Sequence, residues 1–170
     1  MADPVMGAVG VRNIPVPIRR LEPLADPEYA DVFTLLTSRA TERSGEAWAR
    51  IVLEQTPIGR SAPRLWRVLG LRLGPASSPD HVQGWRIADR GDGWIRLETA
   101  SWFMTAHAVV HVEAGHLSLA LFLRYERAVA VLICPPVARL HRRGVPAMLR
   151  QALRAAPAPP PVLVGAQDER

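Results

Sequence analysis

The spacing of apolar residues changes along the chain, from an irregular beginning through helical spacing to strict alternation. Residues 1–27 are rich in proline and show no periodicity, so we expect an irregular N-terminal arm. Tyr29–Thr37 combines aromatic and β-branched residues, which are typical of a strand. Two short helices are predicted after it, one capped by Ser44 and ended by Pro57, the other over residues 63–69. The inner side of the second helix would carry Leu65, Val68 and Leu69.

Alternating apolar and polar residues dominate from Val82 to Tyr125 and predict antiparallel strands. A continuous strand from Trp94 to Glu113 would span about 66 Å at ~3.3 Å per residue, which is too long for one domain of this size. We therefore expect a turn or bulge near Ala100–Trp102. The result is a four-stranded antiparallel meander with strands at Val82–Ala88, Trp94–Thr99, Phe103–Val112 and His116–Tyr125.

A long amphipathic helix is predicted near the end of the chain, over Val137–Ala155, after a break at Pro135–Pro136. His141 and Met148 lie on its apolar face, and arginines occupy the opposite face. Because the sheet has one apolar face to cover and this helix is the only long amphipathic element left, the sheet should wrap around it. The sequence thus predicts an α+β fold: a curved antiparallel β-sheet around a long C-terminal α-helix.

Composition and charge narrow the class of protein. The 170 residues fit one domain, predicted at residues 28–156, followed by a disordered proline-rich tail at residues 157–170. The net charge is +5 and lysine is absent, but the arginines are dispersed, which argues against nucleic acid as a partner. No apolar run is long enough to span a membrane and no secretory signal begins the chain, so we expect a cytoplasmic protein. Cys134 is the only cysteine, which excludes an internal disulfide.

Alternation on the strands predicts which side chains face the helix. On the third strand of the meander one face is wholly apolar and includes Met104, Ala106 and Ala108, while the other carries His107 and His111. The apolar face is therefore the inner one. Ala106 and Ala108 leave room at its centre, so the interior is either a cavity or a core filled by neighbouring aromatic residues.

His141 is the residue predicted in the interior that could serve the most chemical roles. A neutral imidazole there can bond a ligand carbonyl or hydroxyl, or act as an acid or base. The alternative is a core histidine bonded to Tyr125, Trp85 or a backbone carbonyl. His107 and His111 lie ~13 Å apart on one strand and face away from the helix, so we expect surface histidines and no metal site.

Other reactive groups are few in this sequence. Cys134 lies in an apolar run before two prolines, where burial should raise the pKa of its thiol and leave it inert. No serine occupies a nucleophile elbow, and no glycine-rich phosphate loop or pair of inward carboxylates is evident. The sequence therefore contains no catalytic motif and implies no cofactor, which argues against an enzyme.

Five short motifs typical of packing contacts occur between residues 28 and 154. They are Trp48-Ala-Arg, Leu69-Gly-Leu-Arg-Leu-Gly-Pro75, Val82-Gln-Gly-Trp-Arg86, Leu97-Glu-Thr-Ala-Ser101 and Pro136-Val-Ala-Arg-Leu-His-Arg-Arg-Gly-Val-Pro146. With the predicted fold, they resemble the START-like or SRPBCC superfamily, whose helix-grip fold also occurs in the birch-pollen-allergen family and in polyketide cyclases. Within it, the chain is most similar to an actinobacterial group known as a domain of unknown function. The resemblance implies binding of lipids, polyketides or other apolar molecules between sheet and helix, although this meander is shorter than is usual in the superfamily.

Three functions remain open. The first is binding of a hydrophobic or amphipathic small molecule, such as a lipid or polyketide. The second is a small cyclase or dehydratase that uses His141 as acid or base, with Tyr125 assisting. The third is an interaction module that uses the arginine stripe Arg139–Arg154. For the first function, the predicted cavity is lined by Trp85, Leu97, Met104, Ala106, Ala108, Leu119, Leu121, Tyr125, His141 and Met148.

Overall fold

A single antiparallel sheet organises residues 4–157, which are the residues that the computed structural model describes. Its strands are β1 (Val5–Val9), β2 (Tyr29–Leu36), β3 (Ser77–Ser78), β4 (His81–Val82), β5 (Trp85–Gly91), β6 (Trp94–Ala100), β7 (Met104–Glu113) and β8 (His116–Tyr125). The α-helices of the same residues are α1 (Val16–Arg19), α2 (Gly45–Arg50), α3 (Pro57–Val68) and α4 (Ala130–Ala155).

The sheet is curved and open, with the strand order β1-β2-β8-β7-β6-β5-β4-β3. The predicted meander is confirmed in β5 to β8, and β2 joins it by pairing with β8, where Tyr29 lies opposite Leu123. The chain leaves the sheet between Ala100 and Met104, where a turn or bulge was expected. With α4, this arrangement confirms the predicted α+β fold and is compatible with a helix grip.

The N-terminal residues are not irregular throughout, because they include the strand β1. This strand pairs with β2, with Val5 opposite Leu35 and Val9 opposite Asp31. It is an outermost strand, and three of its five residues are exposed. All five residues are apolar or glycine, so the sequence lacks the alternation of apolar and polar residues that identifies strands.

The meander is also longer than the sequence suggests. Two short strands, β3 and β4, precede it, so that six strands follow α3. The expectation of a shortened meander is therefore wrong. Strands of two residues are too short for an alternating pattern to be recognised.

A small second core covers the outer face of the sheet. Ile14 and Ile18, from the N-terminal segment, pack against Val109, Ala120 and Phe122 of the outer face. All five side chains are almost fully buried. Strand alternation alone predicts that this face is exposed to solvent, and the N-terminal segment covers it instead.

His107 lies beneath this layer and is not a surface histidine, which corrects the sequence-based expectation. Its side chain is only 10% exposed, and Nδ1 lies 2.6 Å from Oε1 of Glu22. Arg96 holds the same segment by donating from Nη1 to the carbonyl of Leu21, at 2.9 Å. Burial of His107 depends on a chain segment about 85 residues away in sequence, so strand alternation alone could not reveal it.

Helix α3 begins six residues before the predicted position. The Oγ1 atom of Thr56 caps it by accepting the Gly59 amide at 3.0 Å, and Pro57 occupies its first turn. Proline at this position is favourable because its missing N–H would have no partner there. The predicted end near Leu69 is confirmed, but Val68 is exposed rather than inward-facing.

Helix α4 also begins earlier than predicted, at Ala130, and continues through Pro135 and Pro136. Its first turn is tightened by i→i−3 bonds, for example from Leu132 N to Val129 O at 3.0 Å. Both prolines lie on the exposed side of the helix. The bonds that they remove are therefore on the solvent side, which a helix tolerates better than a break in its packed face.

The inner core is formed between the concave face of the sheet and helices α2 and α4. Ser44 caps α2 as predicted, accepting the amide of Ala47 at 3.1 Å. Arg39 holds the end of α4 over the sheet, because its guanidinium donates to the carbonyls of Leu153 and Ala156, both at 3.2 Å. A cation at a helix C-terminus bonds its free carbonyls and complements the helix dipole.

The helices described between residues 4 and 157 include none with the length and apolar character needed to cross a lipid bilayer. The disordered tail predicted for residues 157–170 falls, apart from Pro157, outside the described residues.

Candidate functional site

A cavity of about 300 Å³ lies between the concave face of the sheet, α3 and α4. Its walls are mostly aliphatic and aromatic side chains, and no arginine, aspartate or glutamate borders it among the described residues. Nine of the ten side chains predicted to line it do border it: Trp85, Leu97, Met104, Ala106, Ala108, Leu119, Leu121, His141 and Met148. Tyr125 does not.

Small residues at the centre of the sheet and helix keep this space open. Ala108 on β7 lies between Leu97 of β6 and Leu121 of β8 in the strand register. On the facing helix α4, a Cβ atom added at Gly144 would have its nearest neighbour, a methyl of Ile58, 3.8 Å away. A larger side chain at Ala108 would extend into the cavity, so this position is the natural place to block it.

Helix α3 supplies one wall that the sequence analysis missed. Ile58, Leu65 and Trp66 border the cavity from this helix. With Ala62 and Leu69 they form an apolar stripe at helical spacing. This stripe could have identified the wall from the sequence. Because the helix was expected to start at residue 63, Ile58 and Ala62 were left out of it.

His141 meets the cavity from α4 and is tied to the sheet by a carboxylate. Its Nδ1 atom lies 2.9 Å from Oδ2 of Asp31, a fully buried residue on β2. The imidazole also packs edge-on against Phe33, with the ring centroids 6.4 Å apart. His141 is therefore bonded inside the fold as the core-histidine alternative expected, but its partner is not Tyr125, Trp85 or a backbone carbonyl.

Asp31 is not among the site residues predicted from the sequence, since the inner face of its strand, β2, was not predicted. Phe33 and Leu35 belong to the inner core, whereas Ala30 and Val32 belong to the outer one. Alternation then places Asp31 on the inner face. A carboxylate on the inner face of a strand of apolar residues is unusual, and this feature of the sequence could have identified Asp31 as a site residue.

Tyr29 completes the surroundings of this carboxylate. Its hydroxyl donates to Oδ2 of Asp31, and the guanidinium of Arg142 lies 6.0 Å from the centre of its ring. Burial raises the pKa of Tyr29, and the hydrogen bond to Asp31 raises it further. The phenol therefore stays protonated and keeps donating throughout the neutral range. Oδ1 of Asp31 is buried with no hydrogen-bond partner among the described residues.

Trp85 borders the cavity and carries a second polar atom without a partner in the described residues. Its ring is 5% exposed and packs edge-to-face with Trp66, with the centroids 5.4 Å apart. Its Nε1 atom is buried and has no hydrogen-bond acceptor within the described part of the chain. A buried indole N–H normally has a partner, so this donor is unsatisfied.

The remaining candidates lie away from the cavity. His107 and His111 lie on the strand face opposite the cavity, as predicted, and the described residues contain no cluster of ligands that could hold a metal ion. On α4, Arg139, Arg143 and Arg154 are exposed and Arg150 is partly buried. These arginines do not border the cavity.

Tyr125 and Cys134 lie together beside the cavity and not in its wall. Cys134 is 1% exposed and contacts the sulfur of Met104 at 3.6 Å. Burial raises the pKa of the Cys134 thiol to about 11 and also raises the pKa of Tyr125. The predicted burial of this thiol and its raised pKa are confirmed, and its inertness stays a prediction.

The protein is expected to lose stability between about pH 9 and pH 11 as a result. The unfolded thiol ionises first, whereas the folded thiol keeps its proton to about pH 11, so rising pH favours unfolding. A shift of this size corresponds to at most about 2–3 kcal/mol. Urea unfolding at pH 8 and pH 10.5 measures the loss. Cys134→Ala should lose less stability than the natural chain, and an equal loss in both would contradict the assignment to Cys134.

Comparisons of the chain with protein-family models, with curated proteins and with solved structures found no match in any of the three. The geometry of the fold and of the cavity therefore carries the functional argument.

Proposed function

We propose that this protein binds a hydrophobic or amphipathic small molecule, such as a lipid or polyketide, in the cavity between the sheet and α4. The single observation that supports this most strongly is an apolar cavity of about 300 Å³ between the concave face of the sheet, α3 and α4. Protein interiors are normally filled to crystal-like density. Ligand sites are typically apolar and begin at about this size, so we expect a small or short-chain ligand.

We further propose that the chain is a START-like or SRPBCC protein, related to the actinobacterial group that its motifs resemble. The element order supports this: one strand, two helices, six further strands and a long C-terminal helix follow one another from β2 to α4. In this superfamily the space between sheet and helix is where apolar ligands are bound. The cytoplasmic location expected from the sequence stays a prediction.

The proposal is tested with N-phenyl-1-naphthylamine, an uncharged probe whose fluorescence rises in an apolar environment. We expect saturable binding to the natural chain and a loss of at least about tenfold in affinity for Ala108→Phe, because the phenyl ring occupies the space where the ligand packs. The measurement is a fluorescence titration, with circular dichroism to check folding.

A matched variant, Ala114→Phe, makes the same change in the exposed turn between β7 and β8. It should bind the probe as the natural chain does. If a folded Ala108→Phe protein keeps full affinity, the probe binds elsewhere and the cavity is not the site. If the natural chain shows no saturable binding, the proposed function is wrong.

A further inference from the structure

Asp31 is a charged group in a position that packing alone does not explain. It is 0% exposed, at the border between the sheet and α4. Burying a carboxylate is costly unless hydrogen bonds compensate for the lost water. Both of its partners, the Tyr29 hydroxyl and Nδ1 of His141, bond to Oδ2, and Oδ1 has no partner among the described residues.

These hydrogen bonds determine which nitrogen of His141 carries the proton. A carboxylate oxygen accepts hydrogen bonds, so Nδ1 must be the donor to Asp31. In a neutral imidazole with the proton on Nδ1, the other nitrogen, Nε2, has a free lone pair and acts only as an acceptor. Nε2 has no hydrogen-bond partner within residues 4–157, and the ring borders the cavity.

We propose that Nε2 of His141 is the hydrogen-bond acceptor that selects ligands carrying a hydroxyl group, such as an alcohol, phenol or enol. This inference rests on the proposed function, because it needs the cavity to hold a ligand. Asp31 is a positioning residue: it fixes the tautomer and the orientation of the ring without touching the ligand.

The same geometry disfavours a carboxylate ligand. The described wall of the cavity carries no arginine that would balance a negative charge, and Asp31 already places one behind His141. While the ring is neutral, a carboxylate at Nε2 would meet a lone pair instead of a donor. A hydroxyl supplies the proton that this site lacks, and the apolar walls accept the rest of the molecule.

The experiment compares two compounds of nearly equal shape, 2-naphthol and 2-methylnaphthalene, by titration against the natural chain and against His141→Asn. Asparagine places an N–H near the position of Nδ1, so it keeps the bond to Asp31, but it has no atom at Nε2. We expect the affinity for 2-naphthol to fall about five- to tenfold, the effect of one lost hydrogen bond. The affinity for 2-methylnaphthalene should stay within about twofold.

A control variant, His116→Asn, makes the same change at the first residue of β8, where the histidine lies beside the carbonyl of Ala114 and the carboxylate of Glu113 and does not border the cavity. It should leave both affinities unchanged. If both compounds bind and the ratio of their affinities is the same in His141→Asn, the inference is overturned and the cavity proposal stands. If neither compound binds the natural chain, both are overturned.

A second measurement needs no variant that must fold. The ¹⁵N chemical shifts of the His141 ring in the natural chain distinguish the two tautomers. For the neutral ring we expect the shifts of the Nδ1–H form, and a change at Nε2 but not at Nδ1 when 2-naphthol is added. Shifts of the Nε2–H form would overturn the inference whatever the binding data are.

Discussion

Replacing Trp48 with alanine is expected to lower the free energy of unfolding by about 3–5 kcal/mol, the usual cost of removing a buried tryptophan. Trp48 is 0% exposed and lies on α2, which packs on β6 and β7 inside the concave sheet. Its indole N–H donates to the carbonyl of Ala40 at 2.7 Å. Truncation therefore leaves both a void and an unpaired buried carbonyl. Urea unfolding followed by circular dichroism measures the change.

Trp102→Ala is the matched control for this prediction. Trp102 is 61% exposed, and its ring contacts Phe103 with the centroids 5.2 Å apart. Its removal exposes little new surface, so we expect a loss below about 1 kcal/mol. Equal losses in the two variants would mean that α2 does not anchor the inner core as described.

Strand alternation is the part of the structure that the sequence predicts best. It identified the inner face of β7, where Met104, Ala106 and Ala108 are all buried in the inner core. A one-residue error would have moved every side chain to the other face. The pattern was clear because the inner face is apolar throughout, and it led directly to most of the cavity wall.

The elements that sequence reasoning misplaced are those determined by distant contacts or by proline. His107 is polar in sequence but buried in the fold, because Glu22 and the N-terminal segment lie over it. Pro57 does separate two helices as predicted, but it is also the first residue of α3, and Pro135 and Pro136, interpreted as a break, lie inside α4. Proline is compatible with a first turn or an exposed helix side, and only the packing decides which case applies.

In the pair formed by Asp31 and His141, one member was predicted from the sequence and the other was not. The position of His141 on the inner face of its helix followed from periodicity, but its partner lies 110 residues earlier in the chain. No local pattern links residues so far apart in sequence. A buried aspartate in an apolar strand would have been a useful warning, since such a residue needs a partner somewhere in the fold.

A double substitution is expected to show that the hydrogen bond between Asp31 and His141 adds little to the free energy of unfolding, compared with an apolar pair at the same positions. His141→Leu should lower the free energy of unfolding by about 3 kcal/mol, because it leaves the buried carboxylate of Asp31 with Tyr29 as its only donor. We place the effect at the low end of the range for buried pairs because the His141 side chain is 22% exposed. Chemical unfolding near pH 7 measures it.

Adding Asp31→Leu to His141→Leu should recover most of that loss and bring the free energy of unfolding to within about 1 kcal/mol of the natural chain. Two leucines fill the same region without any charge to desolvate, so the recovery follows from removing the unpaired carboxylate. If the double variant stays as unstable as His141→Leu, the pair contributes to stability in its own right. If it recovers, a costly polar pair is retained at the edge of an apolar cavity without a structural need, which favours a role in ligand recognition.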